Sequence, residues 1–515
     1  MAAAAAAAFT VVLMMKWVWR VVNWVWLKPK SLERHLRQQG LAGNSYRLFF
    51  GDMKDSSRLK VEAKSKPISF TNDYLHRADP LLHQTIKNYG KNSFIWMTAV
   101  PNVIITEPEL IKEVFSKIND FQRPKTSKLF ELIAPGLVQY EGEKWAKHRK
   151  IINPAFHFDK LKLMLPAFGT SCDEMIGKWE KVVSETDSHE IDVMPYLKTL
   201  TADVISRSAF GSSFEEGRKI FQLLNDQINL VLQGFQTAFI PGWRYLPTRT
   251  NNRMKRIDDE IQTLIKGIIY KRIEAVKSGK AVQDDLLSVL MESCYEKVPK
   301  YQSNSRHLGL TIKEVIDECK LFYFAGQETT AVLLIWTMIM LSKHQDWQSR
   351  AREEVLKTFG KNKPDFHGLN HLKIVTMILY EVLRLYPPVI AITRRVSSDM
   401  KLGKLSLPAG VLVNLAIVFA NQDEKIWGVD AKEFKPERFS EGISKAIEGS
   451  ISFFPFGWGP RICIGQNFAM IEAKMAIAII LQRFAFELSP TYAHAPVTIL
   501  SLQPQFGAQV ILHRL

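Results

Sequence analysis

The chain has no G-x-G-x-x-G loop, so nothing in it marks a site for a dinucleotide. Cysteine is scarce: Cys172, Cys294, Cys319 and Cys463 share no paired spacing, which argues against a disulfide framework or a zinc site and for a reducing compartment. Beyond the N-terminal segment there is no long Ser/Gly/Pro run, repeat or low-complexity tract, so no linker divides the 515 residues. The net charge is +16, yet the basic residues are spread along the chain without a basic–aromatic module. Nucleic acid is therefore not expected as a partner. An anionic membrane surface and an acidic protein partner explain the charge better. With 46% hydrophobic residues the chain can bury a large core and still enclose a flat cofactor.

Charge is also missing from the first fifteen residues, which argues against a cleaved signal peptide. Lys16, Arg20 and Asn23 fall at i, i+4 and i+7, one narrow stripe on a helix otherwise made of Ala, Val, Leu, Met and four tryptophans. About twenty apolar residues span a bilayer, so the segment is long enough. Its cations must snorkel or sit at the interface, where the tryptophans also belong. An interfacial helix is the alternative. Lys28, Lys30, Arg34, Arg37 and Arg47 follow the span, which places the body on the cytosolic side. Pro29 is expected to end the helix. The expected organisation is an anchor over residues 1–27, a basic, proline-containing hinge over 28–50 and one catalytic domain over 51–515.

Residues 456–465 read F-G-W-G-P-R-I-C-I-G. Gly457, Gly459 and Gly465 permit backbone conformations and close approaches that a side chain would block. They can hold peptide N–H groups toward the Cys463 sulfur, and such donors tune a metal–thiolate bond. Arg461 adds positive charge and Phe456 a flat apolar face. A cysteine thiolate on haem iron pushes electron density to the metal and favours O–O cleavage. A free buried cysteine beside an ordinary turn is the alternative.

From Thr311 to Leu341 the pattern predicts one helix of ~45 Å. Its centre, Phe322 to Thr330, carries an acid and two threonines inside an apolar run. Local departures of this kind tend to be functional. The Thr329 hydroxyl can bond the Ala325 carbonyl four residues back, and Gly326 would let the backbone approach a ligand. Elsewhere, Glu381 and Arg384 stand at i, i+3, and Trp145 and Arg149 four apart, each pair on one helix face.

On these motifs the chain resembles the cytochrome P-450 superfamily, the haem-thiolate monooxygenases. The resemblance implies a mainly helical fold with a smaller β-rich lobe behind the anchor, and haem b ligated by Cys463. It implies oxygen activation at Thr329 and proton delivery through Glu328. It makes Glu381, Arg384 and Arg438 a buried structural triad. Trp145 and Arg149, with Arg394 or less favourably Arg395, become propionate clamps, joined at the cofactor by Phe456 and Arg461. His148 belongs on the clamp helix, solvated or beside a propionate, not on the iron.

Segments such as Tyr140 to Lys150 and Phe454 to Asn467 further resemble the plant group containing secologanin synthase and triterpenoid oxidases. That group implies hydroxylation or oxidative cleavage of a terpenoid-derived molecule, an iridoid or pentacyclic triterpenoid first. It also implies O2, electrons from NADPH through a cytochrome reductase, and residence in the endoplasmic reticulum membrane. A haem-thiolate hydroperoxide isomerase or dehydratase, a hormone-inactivating hydroxylase and a non-enzymatic haem protein are the rivals. The expected pocket walls are 127–138, 231–245, 322–325, 389–393 and 501–504, with Leu137, Phe235, Phe239 and Ile392 making it apolar. Residues 301–307 are expected to be a surface loop.

Overall fold

The N-terminal helix does not stop at Pro29. The computed structural model describes residues 2–124, 128–183, 188–212, 214–234, 246–279, 285–295, 309–447 and 452–515. In it helix α1 (Ala2–Val22) runs through a π-helical turn (Asn23–Leu27) into α2 (Lys28–Gln38). Proline cannot donate to the carbonyl four residues back, and its ring crowds that carbonyl. The π turn absorbs the clash: the Lys28 N–H reaches the Asn23 carbonyl, five residues back. The Val25 carbonyl that Pro29 leaves without a backbone donor accepts instead from the Tyr46 hydroxyl at 2.8 Å. Glu33, buried in α2, binds Lys30, Arg37 and the Tyr46 N–H, so α2 is docked on the body. Helix α3 (Met53–Lys64) follows.

The β-rich lobe holds a five-stranded sheet in the order Phe94–Met97, Val100–Ile105, Leu412–Leu415, Ile392–Val396 and Phe121–Gln122. The second and third strands are parallel, from Asn102 opposite Leu412 to Ile105 opposite Leu415; the other pairings are antiparallel. Period-two alternation puts Arg394 on the face of buried Val396, and Arg395 on the other. A three-stranded sheet (Ser188–Asp192, Gln509–Arg514, Phe484–Leu488) closes the far side.

The helical body contains α4 (Gly142–Ile152), α5 (Val193–Phe210), α6 (Ile312–Lys343), α7 (Lys373–Leu385) and α8 (Gln466–Arg483). Thr311 starts α6 with a reciprocal cap: its hydroxyl accepts from the Glu314 N–H while the Glu314 carboxylate accepts from the Thr311 N–H. Every residue from Thr330 to Ser342 is buried, the mark of a helix enclosed on all sides. Helix α5 packs closely against it, because a Cβ on Gly326 would stand 2.9 Å from the Ile205 side chain. The space at Gly326 is thus taken by Ile205, a correction to its expected opening toward a ligand.

Glu381 and Arg384 on α7 form a bidentate pair, both contacts 2.7 Å and both side chains fully buried. The remaining guanidinium donors reach the carbonyls of Asn421, Ala431 and Glu433. Arg438 joins at 3.7 Å from Glu381 and bonds the Trp427 carbonyl. A buried ion pair persists when its other polar atoms are satisfied, and here they bind the chain leading to the cysteine loop.

Candidate active site

The cysteine loop is held by its own backbone. The Cys463 N–H donates to the Phe456 carbonyl at 2.9 Å, and the Gly457 N–H to the Phe454 carbonyl at 3.1 Å. Gly459 has φ +71°, and a Cβ there would lie 2.8 Å from the Phe115 carbonyl oxygen, so both torsion and space require glycine. Cys463 is enclosed by protein, yet its surface opens into an internal cavity between this loop and α6. Burial pushes its thiol up, while the Gly465 N–H and Arg149 favour the thiolate. Phe456 lines the same cavity.

Three guanidiniums converge on that cavity: Arg123, Arg394 and Arg461. Burial, then the charge of its neighbours, pulls Arg123 down to about 9 and Arg394 to about 10. The Arg123 Nε has no hydrogen-bond partner among the described residues. Such a cluster calls for an anion. Arg461 is partly neutralised by Glu141 at 2.5 Å and lies 4.6 Å from the Trp145 ring centroid. Arg149 donates to the Ile462 carbonyl at 2.9 Å. Trp145 and Arg149 therefore meet the cysteine loop, while Arg394 faces the cavity itself. Arg395 points away, toward Gly410.

On the opposite wall, α6 presents Phe322, Ala325 and Thr329. The Thr329 hydroxyl donates to the Ala325 carbonyl at 2.8 Å, the bond anticipated from spacing. Glu328 does not share this cavity. Adjacent side chains on a helix leave about 100° apart. The Glu328 carboxyl accepts from the Ser501 hydroxyl at 2.5 Å in a polar cleft with Lys198, Asn225, Asn229 and Gln503.

Of the expected walls, Phe322, Ala325, Val389 and Ile392 line the cavity, joined by Phe115, Phe156 and Ile205. Leu137 is core, and residues 501–504 face the Glu328 cleft or the core instead. Phe235, Phe239, Ser127 and residues 301–307 lie outside the described residues.

Residues 74–511 match the family profile described as Cytochrome P450. The chain is 58% identical over 498 residues to Cytochrome P450 CYP72A219 of Panax ginseng, covering 96% of each chain. It is 57% identical to the 11-oxo-beta-amyrin 30-oxidase of Glycyrrhiza uralensis, covering 97% of this chain and 96% of that one. To the echinocystic acid 23-monooxygenase of Saponaria officinalis it is 53% identical, covering 98% and 97%.

The chain belongs to the cytochrome P450 family. It is a P450 monooxygenase, and its cofactor is haem. The cavity fits that group: an apolar slot, a thiol opening into it at the cysteine loop, and a buried arginine cluster suited to carboxylate arms.

Sequence reasoning missed several parts of this P450. Arg123 reaches Arg394 because Phe121–Gln122 pairs with Val396 and Arg395 at the edge of the sheet. His148 is neither solvated nor beside the arginine cluster. It is fully buried, its Nδ1 2.7 Å from Glu318 on α6, and Glu318 also accepts from the Leu137 N–H. The pair ties α4 to α6. Glu472 on α8 is a second buried acid; burial pushes its carboxyl well above the carboxylate range, and the Thr330 hydroxyl pulls the other way. Neither of its oxygens has a hydrogen bond of good geometry among the described residues.

Proposed function

We propose that this P450 hydroxylates or oxidatively cleaves a terpenoid-derived substrate, with a pentacyclic triterpenoid ahead of an iridoid. The observation that carries the choice is end-to-end similarity to two enzymes named for triterpenoid oxidation. A cavity walled by Phe322, Ile205, Val389 and Ile392 suits such a molecule, which excludes water as it fills the site.

Bound haem would supply the redox chemistry that inserts one oxygen atom from O2 into a C–H bond. In this proposal Cys463 is the axial ligand, held by its loop with the Gly465 N–H aimed at the sulfur. Arg123, Arg394 and Arg461 neutralise the propionates, backed by Arg149 and Trp145 at the loop. Phe456 packs against the ring. Thr329 places a hydroxyl on the reacting side, and Glu328 takes protons from the polar cleft and passes them across α6 toward Thr329. Glu381, Arg384 and Arg438 hold the segment leading to the loop.

Residues 1–27 serve as a single membrane anchor, 28–50 as the connecting segment, now read as largely helical, and 51–515 as the catalytic domain in the cytosol at the endoplasmic reticulum. Helix α1 and its continuation are long and apolar enough to cross a bilayer. Electrons come from an NADPH–cytochrome reductase in the same membrane. Microsomes carrying the protein and a reductase, offered 11-oxo-β-amyrin, echinocystic acid and an iridoid panel, test the reading by mass. An NADPH-dependent product one oxygen heavier from a triterpenoid is expected. Conversion of the iridoids alone would overturn the triterpenoid assignment.

A further inference from the structure

The root of the anchor carries two features that catalysis does not use. The first is the Tyr46 hydroxyl, which donates to the Val25 carbonyl at 2.8 Å and accepts from the Phe49 N–H at 3.3 Å. Its ring is 4% exposed and lies between Trp96 and Trp26, at centroid distances of 4.8 and 6.3 Å. One buried phenol thus fixes both the end of the apolar helix and the loop after it.

The second is the loop itself. Leu48, Phe49 and Phe50 are 45, 50 and 41% exposed. Phe49 has φ +65°, a conformation that a bulky residue keeps only where its surroundings hold it. The bond to Tyr46 is such a hold, and it leaves three large apolar side chains open to the outside. An exposed contiguous apolar patch marks an interaction site.

Continuity and charge select the occupant. Trp24, Trp26 and Leu27, at the same end of the apolar helix, are also exposed, and the Tyr46 clasp joins them to the loop. The rim is cationic: the Lys54 Nζ stands 4.3 Å from the Phe50 ring centroid and the Lys30 Nζ 5.4 Å from that of Trp26. Aromatic rings beside snorkelling lysines match the headgroup layer of a bilayer. We propose that Leu48, Phe49 and Phe50 form a second lipid-contact site, inserted in the interfacial layer of the bilayer that holds α1. The proposal rests on α1 being a membrane anchor. Two attachments joined through Tyr46 fix the tilt of the body, which a single helix would leave free.

The test uses the full chain in phosphatidylcholine nanodiscs, spin-labelled at Phe49→Cys, at Met14→Cys within α1 and at Val429→Cys, which is 94% exposed on the body. The unsubstituted chain supplies the background from the natural cysteines. Relaxation by oxygen over a water-soluble nickel chelate is expected at positions 14 and 49, and the reverse at 429. A lipid-like label at 14 with an aqueous one at 49 overturns the second site while the anchor stands. Aqueous labels at both overturn the anchor as well. In Tyr46→Phe, amide exchange at Phe49 should rise about tenfold. Unchanged exchange there would overturn the clasp.

Discussion

The Ser501 hydroxyl donates to Glu328 Oε1 at 2.5 Å and holds that carboxyl in a polar cleft, away from the cavity that the neighbouring Thr329 lines. A proton taken up by Glu328 must therefore cross from one side of α6 to the other. Glu328→Gln keeps the shape and removes the acid, and should lower turnover about 100-fold, the lower end for a lost general acid. Ser501→Ala removes only a positioning hydrogen bond and should cost about fivefold. Steady-state turnover with a reductase reads both. Equal losses in the two variants would place the acid's role elsewhere.

Thr329→Ala deletes the hydroxyl bonded to the Ala325 carbonyl without opening the helix. The expected result is uncoupling: NADPH consumption continues while product falls and hydrogen peroxide is released. Peroxide and product measured against NADPH consumed check it. Tight coupling would contradict the role given to Thr329.

Arg123 and Arg394 carry a cost in the haem-free protein. Their pKa values, about 9 and about 10, lie below the ordinary arginine value because of burial and mutual repulsion. The sign follows from linkage: a cation whose folded pKa is depressed destabilises the fold while charged, in full at neutral pH, and the penalty fades as pH rises through about 9. Arg123→Met should raise the melting temperature of haem-free protein by about 2 °C. It should also speed haem loss to an acceptor about tenfold, since a charge-assisted contact disappears. Lower stability of the haem-free variant would contradict the account.

Arg384→Met leaves Glu381 as a buried, unpaired carboxylate and the Asn421, Ala431 and Glu433 carbonyls without donors. Breaking such a pair costs about 3–5 kcal/mol. Denaturant unfolding of the variant, with the haem retained per chain, measures the loss. A change under about 1 kcal/mol would contradict a structural lock.

The legible features were those whose partners lie close in sequence or whose spacing is periodic. Thr329 and Ala325 are one helical turn apart, as are Glu381 and Arg384, and the capped apolar run from Thr311 announced α6. Arg123 was hidden because its neighbours Arg394 and Arg461 arrive through strand pairing across most of the chain. The burial of His148 depends on Glu318 from another helix, and the place of Glu328 depends on Ser501 near the C-terminus. Pro29 shows a local rule overridden: the π turn absorbs its ring, and Tyr46 supplies the donor it lacks. Gly326 reads as an opening in sequence, but the fold fills it with Ile205.

The central claim is thiolate ligation by Cys463, and the absorption spectrum of the reduced, carbon monoxide-bound protein tests it most directly. The account predicts the long-wavelength Soret band of a thiolate-ligated haem in the native protein and its loss in Cys463→His. A band typical of histidine-ligated haem in the native protein, or a thiolate band that survives Cys463→His, would contradict it.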